Sequence, residues 1–198
     1  MSAGQTHEAE HYVGLMSGTS LDGVDAVLAE IGPAGQVRLL HSHYLPYPDT
    51  LRTRLLALHT PQSDEIHLAA LAANELARLY ADTVKSLLDG FTADRVRAIG
   101  CHGQTLRHRP EEGYTLQIGN AALLAELTGI AVVADFRSRD IAAGGQGAPL
   151  VPAFHAQVLR HPDTHRVIAN IGGIANITDL PVNGPVRGWD TGPGNMLL

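Results

Sequence analysis

The sequence predicts an α/β fold built on a mixed sheet, and three observations carry that expectation. Residues 12–45 read as three consecutive strands joined by short turns. From residue 50 onward, helical and strand-like stretches alternate. Two glycine-rich turns interrupt apolar runs, one within residues 14–25 and one within residues 170–178. Sequential strands followed by alternating helices and strands are the pattern of a mixed sheet covered by helices.

Each element has its own signal. Tyr12–Ser17, Asp25–Ile31 and Gln36–Leu45 are apolar-rich strands, the last two separated by the hairpin signal Gly32-Pro33-Ala34-Gly35. Pro46 and Pro48 end the third. Thr50–His59 carries Leu51, Leu55, Leu56 and Leu58 at helical spacing. Ser63–Leu88 does the same over a longer span, with Ser63 as its expected cap and Asp64-Glu65 in its acidic opening. Val96–Cys101 is a short strand running into His102-Gly103, and Tyr114–Ile118 is another. Asn120 is expected to cap a helix through Leu127 that Gly129 stops, before a strand at Ile130–Ala134. Asp135–Pro149 reads as a long polar loop, and Val151–Arg160 as a helix that tolerates Pro152 in its first turn. Val167–Ile171 and Ile174–Leu180 form a second hairpin. A last strand ends at Asp190, and Gly192-Pro193-Gly194-Asn195 is expected to open a helix.

Composition narrows the classes. The chain has 198 residues, 44% of them hydrophobic and 17% charged, with a formal charge of −6 and no clustering of basic residues. Nucleic acid as main partner is therefore not expected, because it calls for a basic surface. The single cysteine, Cys101, excludes an intrachain disulfide and a cysteine-rich zinc site, and reads as a buried strand-end thiol. No apolar run reaches the roughly 20 residues of a membrane helix. The N-terminus lacks the apolar core of a signal peptide. The expected location is cytoplasmic.

The chemistry is concentrated in the turns. Gly14-Leu15-Met16-Ser17-Gly18-Thr19-Ser20-Leu21-Asp22-Gly23-Val24-Asp25 joins two strands through Gly, Ser, Thr and Asp. Glycine lets backbone N–H groups approach an anion, and successive N–H groups in such a turn form a concave nest. Gly18, Thr19, Ser20, Leu21, Asp22, Gly23, Val24 and Asp25 are the candidate phosphate-binding residues, with Asp22 able to hold Mg²⁺ through water. An ordinary hairpin turn has the same composition. Gly172 and Gly173 belong to the second such turn. Asp190 is the candidate general base, standing where an N-cap would also serve. His102, Gln104 and Thr105 follow a strand end, the usual place for ligands of α/β sheets. Gln117 and Asn120 line a further turn, and Arg137 and Arg139 lie in the polar loop, where arginine suits a planar carboxylate.

The arrangement of the two glycine turns and a late Asp-x-Gly-x-Gly resembles the sugar kinase, actin and Hsp70 superfamily. Gly-Leu-Met-Ser-Gly-Thr-Ser-Leu-Asp-Gly, Cys101-His102-Gly103-Gln104-Thr105, Gln117-Ile118-Gly119-Asn120, Ala134-Asp135-Phe136-Arg137, Ala143–Pro152 and Asp190-Thr191-Gly192-Pro193-Gly194-Asn195 together resemble the anhydro-N-acetylmuramic acid kinases, from Tyr12 to Leu198. The resemblance implies a ribonuclease-H-like lobe of the actin-like ATPase superfamily. It also implies ATP and Mg²⁺, a small anhydro amino sugar as substrate, and Asp190 as the base. In that family, ATP phosphorylates 1,6-anhydro-N-acetylmuramic acid while water opens the anhydro bridge. Family members run to roughly twice this length, as two domains would. The expectation is therefore a disordered tail over residues 1–11 and an amino-terminal kinase lobe over residues 12–198, with a carboxy-terminal lobe and its adenosine pocket missing. A homodimer is left open, as are a nucleotide-binding or interaction module without turnover and an inactive remnant.

Overall fold

The computed structural model describes residues 8–194. β1 (Glu10–Met16), β2 (Gly23–Ile31) and β3 (Val37–Pro46) form an antiparallel meander. Their alternation sends Val13, Leu15, Val24, Ala26 and Leu28 into the core. α1 (Asp49–Ala57) and α2 (Glu65–Leu87) cross over to β4 (Val96–Cys101), which pairs in parallel with β1. α2 buries Ala72, Leu76, Ala77, Tyr80, Thr83, Val84 and Leu87, a single stripe at helical spacing. Full burial of a side chain such as Leu76 contributes about 1.5–3 kcal/mol.

β5 (Gln104–Arg109) and β6 (Tyr114–Ile118) make a separate two-stranded ribbon, and α3 (Ala121–Thr128) leads to β7 (Val132–Val133) beside β4. The five-stranded sheet has the order β3-β2-β1-β4-β7. α4 (Phe136–Ala142) and α5 (Val151–Leu159) follow, and then β8 (Arg166–Ile171), β9 (Ile174–Leu180) and β10 (Arg187–Pro193) form a second, antiparallel sheet of order β10-β9-β8. The α/β mixed sheet expected from the sequence is present.

The second sheet repeats the opening of the first: two strands joined by a glycine turn, then a third antiparallel strand. Its register aligns Ile168, Thr178 and Gly188 on one face and Ala169, Ile177 and Trp189 on the other. α5 covers the first face. His155 Nδ1 lies 3.0 Å from Thr178 Oγ1, and Gly188 sits where a side chain would collide with Pro152. The opposite face is open, with Val167, Ile171 and Trp189 exposed.

Several expectations are corrected. Asp135–Pro149 is not a loop throughout, because α4 occupies its first half. Phe136 anchors that helix against Gly100, where a side chain would reach the ring at 3.6 Å. Ser63 does not cap α2; Asp64 stands there with a left-handed backbone (φ 59°) and no side-chain cap bond. Gly192-Pro193 does not open a helix, since β10 runs on through Pro193, and Asn195 lies outside the described residues. Residues 1–7 of the expected tail also lie outside the described residues, while Glu10 and His11 belong to β1. The Asn120 cap and the Gly129 stop of α3 are found as expected: Asn120 Oδ1 accepts from the Leu123 N–H at 2.9 Å, and Gly129 takes a left-handed φ of 70°.

Candidate functional site

The β1–β2 turn closes on a bond from the Leu21 N–H to the Gly18 carbonyl at 3.3 Å. Leu21 anchors it by burying its side chain, at the cost of a left-handed backbone with φ of 55°. Thr19, Ser20 and Asp22 face solvent, and Ser20 Oγ–H donates to Asp22 Oδ1 at 2.7 Å. Val24 is fully buried, so it can offer a ligand only its backbone. Asp25 is exposed on β2. Tyr44 on β3 is held above the ordinary phenol range, first by burial and then by the Asp22 and Asp25 carboxylates. Among the described residues no three metal-ligating side chains gather.

The glycines of this turn differ in kind. A Cβ on Gly23 would lie 2.5 Å from the Leu45 carbonyl oxygen and 2.7 Å from the Tyr44 ring, so the fold itself requires glycine there. A Cβ on Gly18 would meet only Ser20, its Oγ at 3.5 Å and its backbone nitrogen at 4.0 Å, in ordinary contacts. Packing inside the chain thus gives no reason for glycine at position 18; close approach of a ligand would. Gly172 is similar, its nearest neighbour being the Ile174 carbonyl oxygen at 3.5 Å. Gly18 and Gly172 therefore leave room for an anion to approach the backbone.

Beneath the first turn lies a buried polar network. Ser17 Oγ and Tyr80 OH are 2.7 Å apart, and Ser17 Oγ–H donates to the Gly103 carbonyl at 3.1 Å. Tyr80 OH is 3.3 Å from Tyr47 OH, which also donates to Gln104 Oε1 at 3.4 Å. Gln104 Nε2–H donates to the Gly18 carbonyl at 3.0 Å. Gln104 is fully buried, so its carboxamide braces the turn instead of facing outward. Burial holds the Tyr80 phenol well above its usual range. Cys101, next to this network, is buried and pushed up to about 11, which makes it a protonated, unreactive thiol at neutral pH.

At the β4 end, His102 Nδ1 lies 2.7 Å from the Gly103 carbonyl, and Arg137 Nε–H donates to His102 Nε2 at 2.9 Å. Arg137 Nη1–H donates to the Gly147 carbonyl at 2.6 Å, and Asp140 Oδ2 accepts from the Gly147 N–H at 2.7 Å. Burial lowers the Arg137 pKa, and Asp190 opposes that shift, so the β10 carboxylate acts on the α4 guanidinium. Asp190 is exposed within β10, beside a register shift between Asp190 and Gly192, and not at a strand end.

Hydrogen bonds thus tie Gln104 to the first turn, Ser17 to the Gly103 carbonyl and His102 to Arg137, while the Asp190 side chain bonds none of them among the described residues. The remaining candidates lie around β5, β6, α3 and α4. Gln117 Nε2–H donates to Thr105 Oγ1 at 3.2 Å and to Thr115 Oγ1 at 2.7 Å. The Gln117 Oε1 atom is buried without a partner among the described residues. Asn120 is committed to its cap and to Asn74 Oδ1, at 2.8 Å. Arg139 is exposed on α4.

Sequence reasoning missed Ser17, Tyr47, Tyr80 and Asp140 as supports, because their partners are distant in the chain. It also missed Asn176. Register places Asn170, Asn176 and Asp190 in one row across the three strands, and Asn176 Oδ1 is buried without a partner among the described residues. The repeat of asparagines around the Gly172-Gly173 turn was the available signal.

Comparison with known proteins bears on the same residues. A family model described as anhydro-N-acetylmuramic acid kinase matches residues 10–198. The chain is 78% identical over 198 residues to the anhydro-N-acetylmuramic acid kinase of Thiobacillus denitrificans, which takes in 100% of this chain and 53% of that protein. It is 60% identical over 195 residues to the kinase of that name from Nitrosospira multiformis, covering 96% of this chain and 53% of the relative. For Nitrosomonas europaea the identity is 58% over 193 residues, covering 95% and 53%. The chain spans about half the length of these curated relatives.

Proposed function

The chain belongs to the anhydro-N-acetylmuramic acid kinase family, and from that premise we propose that it serves an ATP-dependent kinase of peptidoglycan recycling. The reaction converts 1,6-anhydro-N-acetylmuramic acid and water to N-acetylmuramic acid 6-phosphate. The observation that carries the reading is the placement of Arg137, whose Nε–H meets His102 Nε2 at 2.9 Å and whose Nη1–H meets the Gly147 carbonyl at 2.6 Å. A guanidinium held in this way is suited to the carboxylate of the sugar, and Asp190 is the carboxylate assigned to the proton.

In this reading Gly18–Asp25 and Gly172-Gly173 hold the phosphates, and Arg137 holds the sugar, with Thr105, Gln117 and Asn120 as further contacts. Asp190 takes a proton from water as the water oxygen bonds to the anomeric carbon. The bond from that carbon to the bridge oxygen breaks, and the released oxygen accepts the γ-phosphoryl group as ADP departs. Capture by phosphorus stabilises an oxygen that would otherwise leave as a poor alkoxide. Mg²⁺, when bound with the nucleotide, neutralises phosphate charge, and Asp22 is the residue to hold it through water.

The repeated meander supports a refined domain reading: residues 166–194 open a second lobe, and residues 10–160 form the first. The protein is then a cytoplasmic enzyme whose cleft lies between lobes, a homodimer being compatible with it. No helix among the described residues is long and apolar enough to cross a membrane.

ADP release tests the proposal. A chimera in which this chain replaces the matching 53% of the Thiobacillus denitrificans relative is expected to turn over anhydro-sugar and Mg-ATP at on the order of 1 s⁻¹ or more. The 198-residue chain by itself is expected to fall far below that. A folded chimera that ignores the sugar would sink the reading.

A further inference from the structure

Arg137 is fixed along two edges by neutral acceptors. Its Nε–H points at His102 Nε2, 2.9 Å away, and its Nη1–H at the Gly147 carbonyl, 2.6 Å away. No carboxylate lies within ion-pair distance of it among the described residues. A partly buried guanidinium without a contacting anion is costly unless a ligand supplies one. Its Nη2 edge is free of protein hydrogen bonds among the described residues and can take up such a ligand.

The imidazole that aims it has a defined protonation state. A carbonyl only accepts, so the 2.7 Å contact with the Gly103 oxygen requires the proton on His102 Nδ1. Nε2 is then a bare acceptor, which is what the Arg137 Nε–H requires. The Gly103 carbonyl is itself pinned by Ser17 Oγ–H at 3.1 Å, and Ser17 by Tyr80 at 2.7 Å. The residue before Gly18 therefore holds the carbonyl that sets the tautomer.

We propose that His102 is a positioning residue: its neutral, Nδ1-protonated ring aims Arg137 so that the Nη2 edge meets a planar oxyanion of the ligand. This deepens the kinase reading, in which that oxyanion is the carboxylate of the sugar, and replaces the expectation that His102 touches the sugar itself. The charged groups on this side are Arg137 from α4 and, acting through it, Asp190 from β10; from the β1–β2 side comes the neutral Ser17. Burial first, and then Arg137, hold the imidazole below its usual 6.5, against the opposing pull of the Gly103 carbonyl. Protonation would turn Nε2 into a donor facing another donor and release the aim. Because the unfolded chain binds that proton more readily, stability from this pair is present at neutral pH and is lost as pH falls below the ordinary histidine range.

The test begins with nitrogen-15 NMR of the 198-residue chain. Ring shifts are expected to report the Nδ1–H tautomer, with scalar coupling across the Arg137 Nε–H to His102 Nε2 bond. An Nε2–H tautomer, or absence of that coupling at neutral pH, overturns the proposal. Calorimetry with N-acetylmuramic acid as probe follows. His102→Phe is expected to weaken binding by about tenfold or more, in line with a misaligned charge-assisted pair. His102→Asn can accept from Arg137 and donate to Gly103; it is expected to restore most of the affinity and to remove its pH dependence between about 5 and 7. In the chimera with the Thiobacillus denitrificans relative, Mg-ATP affinity should be unchanged by either substitution. Parental probe binding in His102→Phe, or pH dependence persisting in His102→Asn, overturns the proposal. If His102→Phe does not fold, the asparagine variant and the coupling decide. A parent chain that ignores the probe sinks the sugar assignment of Arg137, while tautomer and coupling still decide the role of His102.

Discussion

The two glycine turns have the same outline and different foundations. The β1–β2 turn stands on a five-stranded sheet, with Leu21 buried below it and the Ser17, Tyr47, Tyr80 and Gln104 network bracing its carbonyls. The β8–β9 turn stands on three strands with one open apolar face. Its supports are the Gly194 N–H to Gly173 carbonyl bond at 2.8 Å and the Thr191 Oγ1–H to Ala175 carbonyl bond at 3.1 Å. A turn that must present N–H groups to an anion gains most from a rigid base. The first turn has such a base within the chain. The second carries Asp190 and Asn176 on the covered face of its sheet, while its other face remains available for further packing.

The largest effect concerns the second region. Asp190→Asn in the chimera should lower turnover by roughly 10²–10⁴-fold, the usual loss of a general base, with sugar and Mg-ATP binding nearly intact. Rates within a few-fold of the parent would leave the second turn without its catalytic carboxylate.

Next come the supports of the first turn. Gln104→Leu removes two hydrogen bonds, one from the Gly18 carbonyl and one from the Tyr47 hydroxyl, and should cost about 1–3 kcal/mol in urea unfolding. Gly23→Ala should destabilise by a similar amount, about 1–3 kcal/mol, because the methyl meets backbone. If both variants melt like the parent, the first turn is no better founded than the second. Asn176→Ala, by contrast, removes a polar atom that has no partner among the described residues, and should shift stability by less than about 1 kcal/mol.

A smaller effect follows from Cys101. Burial pushes its thiol up to about 11, so a thiol reagent at neutral pH should label the folded chain slowly and the urea-unfolded chain quickly. Rapid labelling of the folded chain would show that the core behind the first turn opens readily.

Much of the fold was legible. Val96–Cys101, Tyr114–Ile118 and Ile174–Leu180 have the expected bounds because each is an apolar run closed by turn signals. α4 was not legible: Arg137-Ser138-Arg139-Asp140 is a polar run, its cap makes no side-chain bond, and its anchor is the tertiary contact of Phe136 with Gly100. β5 was missed because Gln104-Thr105-Leu106-Arg107-His108-Arg109 has one buried apolar residue, Leu106, amid polar ones. At the site, glycine turns and Asp190 are local patterns that a sequence displays. The inward direction of Gln104 and the pairing of His102 with Arg137 depend on strand register and on a helix that composition had hidden.

The most direct measurement compares Gly18→Ala with the parent chimera in two readouts, urea unfolding and Mg-ATP calorimetry. A Cβ at position 18 meets only Ser20, at 3.5 Å or more, so the account predicts stability within about 1 kcal/mol of the parent. It also predicts Mg-ATP affinity lowered by about tenfold or more, equivalent to about 1.4 kcal/mol, because the methyl occupies the space of the phosphate. Unchanged nucleotide affinity would contradict the account, since glycine at that position would then serve neither the fold nor a ligand.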